Sequence, residues 1–289
     1  MKIQFLKLII FINLSLLKMI SKLLLIDTSY LIFYRFHALK IWFSKAKPEI
    51  SLDTEDITVI PEFMEMYQKT FLQTIEKISK KHKITLKETI FVRDCSGSDI
   101  WRKQLYPEYK GTRDYSNFNG KQLFKWTYEN LLPKYASQTI QFDNLEADDT
   151  IAFIVRYMNQ HSSETLITII TNDNDYLQLL KYSNIQLLNL KGDNLKDRSI
   201  GTPHADLMKK IIMGDPSDNI PKIFKKCGIK TLEKYLENQE LLELAFKNEP
   251  DSKRQYKFNE ILIDFDKIPL VFLESLVLWC KQHLHIDTF

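Results

Sequence analysis

Residues 145–149 read LEADD and residues 171–175 read TNDND. In both stretches several carboxylates lie at the end of apolar sequence. Carboxylates crowded in this way repel one another strongly where water is scarce, and a bound cation relieves that repulsion. Oxygen ligands favour magnesium or manganese over zinc. The two stretches therefore predict a divalent metal site, and the rest of the chain is expected to be arranged around it.

Strands and helices alternate on both sides of these stretches. Short apolar, β-branched or aromatic runs predict strands at residues 23–26, 89–92, 139–142 and 166–170. Apolar residues at helical spacing predict helices at residues 29–40, 61–81 and 146–158. This order is typical of an α/β protein with a mostly parallel sheet flanked by helices.

Three aspartates come just after predicted strands, namely Asp27, Asp94 and, within the second stretch, Asp173. In such a sheet, ligands bind outside the carboxyl ends of the strands. Each acid alone has a simpler explanation: Asp27 as a helix cap, Asp94 as a turn residue, and the acids of residues 146–149 as favourable partners of a helix dipole. Their expected convergence at one sheet edge favours a metal site.

Composition sets only broad limits. The 289 residues suffice for a large core. The cysteines Cys95, Cys227 and Cys280 form no C-x-x-C pair, which argues against a zinc site or a secreted disulfide framework and favours a soluble intracellular protein. Because the net charge is only +3, binding to nucleic acid has to be argued from where the charges lie.

The first eighteen residues contain a short apolar run, since residues 8–17 read LIIFINLSLL. This run is shorter than the roughly 20 residues that span a bilayer, and no small-residue cleavage site follows it. We interpret residues 1–18 as an N-terminal extension of a protein whose working start is Met19, with no membrane association. A targeting signal or anchor is the alternative.

Two stretches have the composition of a nucleic-acid-binding surface. Residues 93–134 interleave lysines and arginines with aromatic residues; cations follow a phosphate backbone and aromatic faces accept unpaired bases. A solvated helix face with buried aromatics is the alternative, especially for Phe124 and Tyr128. Residues 222–234 read KIFKKCGIKTLEK, with five lysines against one acid.

Six motifs in order resemble those of the 5′ nuclease superfamily, which contains bacterial and phage 5′–3′ exonucleases, the 5′-nuclease domain of DNA polymerase I and the flap endonucleases. The motifs are IDTS at 26–29, VRD at 92–94, LYPEYKGTR at 105–113, LEADD at 145–149, TNDNDYLQLL at 171–180 and GDPSDNIP at 214–221. The resemblance covers about three-quarters of the chain.

The resemblance implies a PIN-like nuclease domain over residues 19–200, with a helical arch at about residues 101–135. Residues 201–289 would form a helix–hairpin–helix-type DNA-binding subdomain with a helical tail. The implied activity is that of a magnesium-dependent, structure-specific 5′–3′ exonuclease or flap endonuclease in DNA replication or repair. Rival interpretations are a PIN-type ribonuclease, which would lack the hairpin, and a non-catalytic protein that binds branched DNA.

The resemblance also implies two Mg²⁺ ions, with Mn²⁺ as a substitute. The first ion would be held by Asp27, Asp94, Glu146 and Asp148, with Asp149 in the same acidic shell. The second would be held by Asp173, Asp175 and Asp218, with Asp215 supporting them.

Substrate contacts follow from the same resemblance. Lys110 and Arg113 would steer the scissile phosphate, with Tyr109 stacked near it and Arg35 contributing from the first helix. The basic and aromatic segment adds Arg102, Lys103 and Tyr106. At the hairpin, Lys225, Lys226, Gly228 and Lys230 would hold duplex phosphates, and K⁺ could bind there, although Lys226 stands where the family has a glycine. The expected partners are DNA with 5′ flaps, nicks or ends, RNA–DNA hybrid and replication proteins, and the protein is expected to be a monomer.

Overall fold

The structure, a computed structural model, describes residues 20–284. The extension predicted at residues 1–18 and its start at Met19 lie outside these residues. The described part contains a five-stranded, fully parallel sheet in the order β3-β2-β1-β4-β5. The strands are β1 (Lys22–Asp27), β2 (Thr89–Val92), β3 (Gln138–Ile140), β4 (Leu166–Ile170) and β5 (Ile185–Leu188). The predicted mostly parallel α/β sheet is confirmed.

Eleven α-helices surround or extend this sheet in the described residues. They are α1 (Thr28–Ala46), α2 (Pro61–His82), α3 (Trp101–Leu105), α4 (Lys121–Trp126), α5 (Leu132–Tyr135), α6 (Ala147–His161), α7 (Pro203–Met213), α8 (Ile229–Glu237), α9 (Gln239–Asn248), α10 (Pro250–Ile263) and α11 (Glu274–His283). The predicted strands and helices are all present, with ends shifted by a few residues. Strand β5 had not been predicted.

The central strand β1 divides the core into two layers because successive side chains of a strand point to opposite faces. Leu23 and Leu25 pack in one apolar cluster with the inward face of α6. Leu24 and Ile26 pack in the other, with α1 and α2. All four side chains are almost fully buried, as expected for a parallel sheet covered on both faces.

A third apolar cluster joins helices α7 to α10 to the region after β2, where Cys95, Ile100 and Tyr109 contribute to it. Helix α11 does not belong to this cluster. Its residues Leu276 and Cys280 pack back onto the α6 layer of the sheet. Both clusters therefore contain residues from before and after the domain boundary predicted at residue 200.

The predicted arch segment is helical only near its ends. Between α3 and α4, residues 106–120 form turns without a helix. Phe118 packs against Phe33 and Phe36 of α1, with ring centroids 5.0 and 5.1 Å apart. Asn119 donates hydrogen bonds to the carbonyl oxygens of Leu52 and Thr54. The segment is thus attached to the body of the domain.

None of the helices in residues 20–284 has the length and apolar character needed to cross a membrane.

Candidate metal centre

The carboxyl ends of β1 and β2 carry the first two acids of the site. Asp27 ends β1 and caps α1, accepting a hydrogen bond from the Tyr30 backbone N–H at 3.0 Å. Asp94 follows β2, and its two carboxylate oxygens accept hydrogen bonds from Ser29 Oγ at 2.5 Å and from the Ala147 backbone N–H at 2.9 Å. Asp94 therefore joins the starts of α1 and α6.

The first turn of α6 brings three acids together. Oxygens of Glu146, Asp148 and Asp149 lie within 4.8 Å of one another. Glu146 and Asp149 form a capping box at the start of the helix, so the simpler explanation of acids at a helix N-terminus also applies to them. Asp148 lies in the same first turn and also lines the large cavity at the carboxyl edge of the sheet.

A second group of acids comes from two loops that lie far apart in the chain. Oxygens of Asp175, after β4, and of Asp215 and Asp218, after α7, lie within 4.8 Å of one another. Gly214 makes the α7 loop possible: its φ is +71°, and a Cβ there would lie 2.4 Å from the Ile220 carbonyl oxygen. Only glycine fits this turn without displacing the two aspartates.

The ammonium of Lys210, on α7, lies among the acids of the second group. Its Nζ contacts Asp175, lies 2.7 Å from Asp215 Oδ2 and is 4.0 Å from Asp173 Oδ1. A single cation thus neutralises part of this group.

Tyr109, Lys110 and Arg113 connect the two groups of acids. Tyr109 Oη lies 3.0 Å from Glu146 Oε2 and 2.9 Å from Asp218 Oδ2. Lys110 Nζ contacts Glu146 and is 3.9 Å from Asp218, and Arg113 binds Asp218 at 2.6 Å. The two groups therefore form one continuous site.

Burial and neighbouring carboxylates raise the pKa values of three acids in this site. Burial, with the neighbouring Asp94 and Asp173 carboxylates, raises the pKa of Asp27 to about 7. Burial and Asp173 likewise raise the pKa of Asp175 to about 7, against the lowering effect of Lys210. Burial, Asp149 and Glu146 raise the pKa of Asp148 well above its usual range.

Glu146 and Asp215 behave in the opposite way. Burial alone would raise the pKa of Glu146, but Lys110 and Arg102 outweigh it and hold the pKa below its usual value. Lys210 does the same for Asp215. Added positive charge at this position therefore stabilises the ionised carboxylates.

The residues present fit divalent cations. Their donors are carboxylate oxygens, the preferred ligands of magnesium and manganese, and they come in two groups at one sheet edge. Burial and neighbouring carboxylates raise the pKa values of Asp27 and Asp175, and a bound cation would offset both effects. A cavity of about 990 Å³ lies above the acids and has Lys103, Lys110, Arg113 and Lys210 among its lining residues.

Two predicted nucleic-acid contacts are wrong, because their side chains are buried. Arg102 is 2% exposed; its guanidinium binds Asp149 at 2.7 and 2.8 Å and Glu146 at 2.9 Å. Tyr109 is also 2% exposed and cannot stack on a base. Both side chains hold the acids in place from below.

The remaining predicted residues have varied surroundings. Asp149 is fully buried, and donors from Arg102, Trp101 and the Glu146 backbone N–H occupy its oxygens. Asp173 is half exposed at the cavity. Tyr106 is partly buried, and its hydroxyl donates to the Asn219 carbonyl oxygen.

None of the predicted hairpin residues lines the cavity over the acids. Lys225, Lys226 and Gly228 are exposed in the loop before α8, and Lys230 is exposed in its first turn. A Cβ at Gly228 would meet nothing within 4 Å, so the backbone there faces open space. Arg35 lies on α1 and lines a separate, smaller pocket.

Lys210 and Tyr30 line the cavity but were missed from the sequence. Lys210 lies outside the six motifs. The one sequence signal for it is its position five residues before Asp215. Tyr30 directly follows the first motif and resembled an ordinary apolar helix residue.

Comparison with known proteins agrees with this geometry. A family model described as the 5′-3′ exonuclease, N-terminal resolvase-like domain, matches residues 22–210. DNA polymerase I of Streptococcus pneumoniae R6 is 29% identical over 224 residues, which are 73% of this chain but 24% of the polymerase. The 5′-3′ exonuclease of Halalkalibacterium halodurans is 26% identical over 246 residues, covering 76% of this chain and 79% of that protein.

Solved structures show the same fold. The phage T5 D15 protein crystallised with metal ions has a TM-score of 0.68 at 20% identity and covers 92% of this chain and 99% of its own. A complex of the T5 D15 flap endonuclease with DNA and metal ions has a TM-score of 0.65. Since the family model matches well over half of the residues, and does so across the strands that carry the acids, this chain is a member of the 5′–3′ exonuclease family.

Proposed function

We propose that the protein is a magnesium-dependent, structure-specific 5′ nuclease that hydrolyses phosphodiester bonds at 5′ ends, nicks or flaps of DNA. The observation that carries the proposal is the joining of two carboxylate groups into one site by Tyr109 and Lys110, beneath a cavity lined with cations. Membership of the 5′–3′ exonuclease family supports it. A role in DNA replication or repair follows from the substrates.

Asp27, Asp94, Glu146 and Asp148 would hold one divalent ion, and Asp173, Asp175 and Asp218 a second, with Asp215 beside them. Two such ions supply Lewis-acid chemistry: they activate water and stabilise the attacking and leaving oxygens of an in-line displacement. Mn²⁺ has the same ligand preferences and would substitute for Mg²⁺.

The chain's own cations bind and orient the substrate. Arg113 is exposed at the cavity and presents a planar guanidinium suited to a phosphate. Lys110 is held over the acids by its backbone N–H, which donates to the Asp218 carbonyl oxygen at 3.0 Å. If Glu146 held a divalent ion, the Lys110 Nζ, which also lines the cavity, would be free to bind the scissile phosphate. Lys103 extends the positive lining at the cavity mouth.

The hairpin before α8 would anchor the duplex. Lys225, Lys226 and Lys230 are exposed around Gly228, where the open backbone would accept a phosphate and, with it, a K⁺ ion. Such contacts give affinity without sequence preference. We further propose that the protein acts as a monomer and that replication proteins are its protein partners.

A cleavage assay tests the proposal. Purified protein is incubated with 5′-labelled flapped, nicked and blunt DNA, with RNA–DNA hybrid and with single-stranded RNA, in Mg²⁺, in Mn²⁺ and in EDTA. We expect metal-dependent release of short 5′ products from the flapped or nicked duplex. Cleavage of single-stranded RNA alone would instead indicate a PIN-type ribonuclease. Binding of branched DNA without any cleavage would indicate a non-catalytic protein.

A further inference from the structure

A second pocket with a positively charged lining lies beside the metal centre. It occupies about 170 Å³ between the C-terminal half of α2, the middle of α1 and the loop after β5. Its lining includes Arg35, Lys77, Lys81 and Lys191 and contains no aspartate or glutamate. Liquid water takes about 30 Å³ per molecule, so the space exceeds that of a single water and suits a small polyatomic anion.

The cations of this pocket lack partners in the described structure. Within residues 20–284, no carboxylate forms an ion pair with Arg35, Lys77, Lys81 or Lys191. The Nε of Arg35 is buried without a hydrogen-bond partner. A buried, unpartnered guanidinium nitrogen is costly, and several like charges in one pocket repel one another. Burial accordingly lowers the pKa of Arg35. An anion would relieve both costs.

The loop after β5 lies against the end of the Lys81 side chain. Gly192 has a φ of +93°, and a Cβ there would lie 2.6 Å from Lys81 Nζ. Asn189 fixes this loop, because its side-chain oxygen accepts hydrogen bonds from the backbone N–H groups of Lys191 and Asp193 at 2.9 Å each. The ammonium therefore lies against the backbone of a well-defined turn.

Two tyrosines separate this pocket from the metal centre. Tyr30 lines the large cavity, and Tyr34 lines the pocket. Their ring centroids are 6.1 Å apart, and the Tyr30 hydroxyl accepts a hydrogen bond from the Leu190 backbone N–H at 3.1 Å. A polynucleotide strand that leaves the metal centre across Tyr30 and Tyr34 would reach the pocket directly.

We propose that the pocket lined by Arg35, Lys77, Lys81 and Lys191 binds a backbone phosphate of the substrate strand outside the metal centre. This inference rests on the proposed nuclease function. The lysines place charge around the phosphate, and the Arg35 guanidinium donates to it. Since contacts of this kind do not read bases, the pocket holds the strand in position without sequence preference.

The first test measures the anion site without nucleic acid. Inorganic phosphate is titrated into the metal-free, full-length protein while the Arg35 Nε–H signal is followed by NMR. We expect the signal to shift at millimolar phosphate, to respond much less in Lys77→Ala/Lys81→Ala, and to respond normally in Lys80→Ala. Lys80 is the matched control, since it lies beside Lys81 on α2, pairs with Glu76 and does not line the pocket. An Arg35 signal that ignores phosphate would overturn the proposal.

The second test measures strand binding in the cleavage-deficient Asp148→Asn background. The affinity for 5′-flapped DNA is determined by fluorescence anisotropy over a range of salt concentrations. Each lost lysine contact is expected to reduce the salt slope by about one, with a several-fold loss of affinity that Lys80→Ala does not show. An unchanged slope in Lys77→Ala/Lys81→Ala, even with phosphate bound in the first test, would refute a strand contact and leave a free-anion site.

The outcomes separate this inference from the nuclease proposal. If the wild-type protein cleaved no flapped DNA but the lysine variants weakened its binding to single-stranded RNA with a reduced salt slope, the proposed substrate would be wrong and the phosphate pocket would stand. If cleavage of flapped DNA were found and neither test responded to the lysine variants, only the pocket would be refuted.

Discussion

The Lys210 ammonium lies 2.7 Å from the Asp215 carboxylate, at the centre of the second group of acids. An ion pair in this position holds the carboxylates together when no divalent cation is bound, and it competes with such a cation for the same oxygens. We therefore expect Lys210 to affect two measurable quantities: the stability of the metal-free protein and its affinity for divalent metal.

Replacing Lys210 by alanine should destabilise the metal-free protein and make its stability more dependent on magnesium. Loss of the ammonium leaves Asp175 and Asp215 partly buried and unpaired, which we expect to cost about 2 kcal/mol or more of unfolding free energy in EDTA. Urea unfolding with and without Mg²⁺ measures this. Lys247→Ala, an exposed substitution on α9, is the control. Equal losses in EDTA and in Mg²⁺ would contradict the competition.

Asp148→Asn should separate cleavage from binding. The amide keeps the shape of the side chain but removes a charged oxygen from the site, so the cleavage rate should fall by at least about 100-fold. Contacts between cations and the DNA backbone remain, and the Kd for flapped DNA should stay within a few-fold of the wild-type value. Single-turnover cleavage and anisotropy measure the two quantities. A parallel loss of both would indicate that Asp148 supports the fold instead.

Arg102→Ala should cost stability rather than DNA contacts. The substitution leaves Asp149 buried without its cation and Glu146 with Lys110 alone, for an expected loss of about 3–5 kcal/mol. Arg102→Lys should recover only part of it, since lysine cannot form the paired hydrogen bonds. Denaturant unfolding gives the loss. If Arg102→Ala were stable but bound DNA with a smaller salt slope, that result would support the DNA contact predicted for Arg102 from the sequence.

Metal binding should stabilise the protein more at pH 8 than at pH 6. Asp27 and Asp175 have pKa values raised to about 7 in the folded protein, above the usual aspartate value of about 4. Between about pH 4 and pH 7 the folded state holds protons that the unfolded state has released. The free energy of unfolding of the metal-free protein therefore falls as the pH rises through 7. A divalent cation displaces these protons, and its apparent affinity therefore rises with pH.

Thermal unfolding in EDTA and in Mg²⁺ at several pH values checks this expectation. The rise in Tm on adding Mg²⁺ should grow steadily from pH 6 to pH 8. Asp27→Asn should flatten the trend because it removes one of the competing protonation sites. If the rise in Tm on adding Mg²⁺ did not depend on pH, Asp27 and Asp175 would not be binding protons between pH 6 and pH 8.

Much of the sheet and the grouping of the acids could be predicted, because both depend on local patterns. Apolar runs identify buried strands, and the aspartate after each run falls at the carboxyl edge whatever the details of packing. Asp27, Asp94 and Asp173 illustrate this. The short strand β5 was not recognised, since four residues between turns carry little periodicity.

The roles of Arg102, Tyr109 and Lys210 could not be predicted, because they depend on tertiary packing. A basic or aromatic residue in a polar stretch looks exposed from sequence alone. Burial of Arg102 and Tyr109 arises only when α10 and the loop after α7 close over them, through contacts with Leu262 and Asp218. Lys210 enters the site because α7 approaches the loop after β4.

Because α11 packs back onto the sheet, the arrangement of the acids depends on residues near the end of the described chain. Leu276 and Cys280 cover the layer that includes Ile151 and Val155 of α6, and the first turn of that helix presents Glu146 and Asp148. Loosening this remote contact would let α6 tilt or fray and would spread the acids apart. Substitutions in α11, more than fifty residues along the chain from any predicted ligand, can therefore lower the affinity for metal.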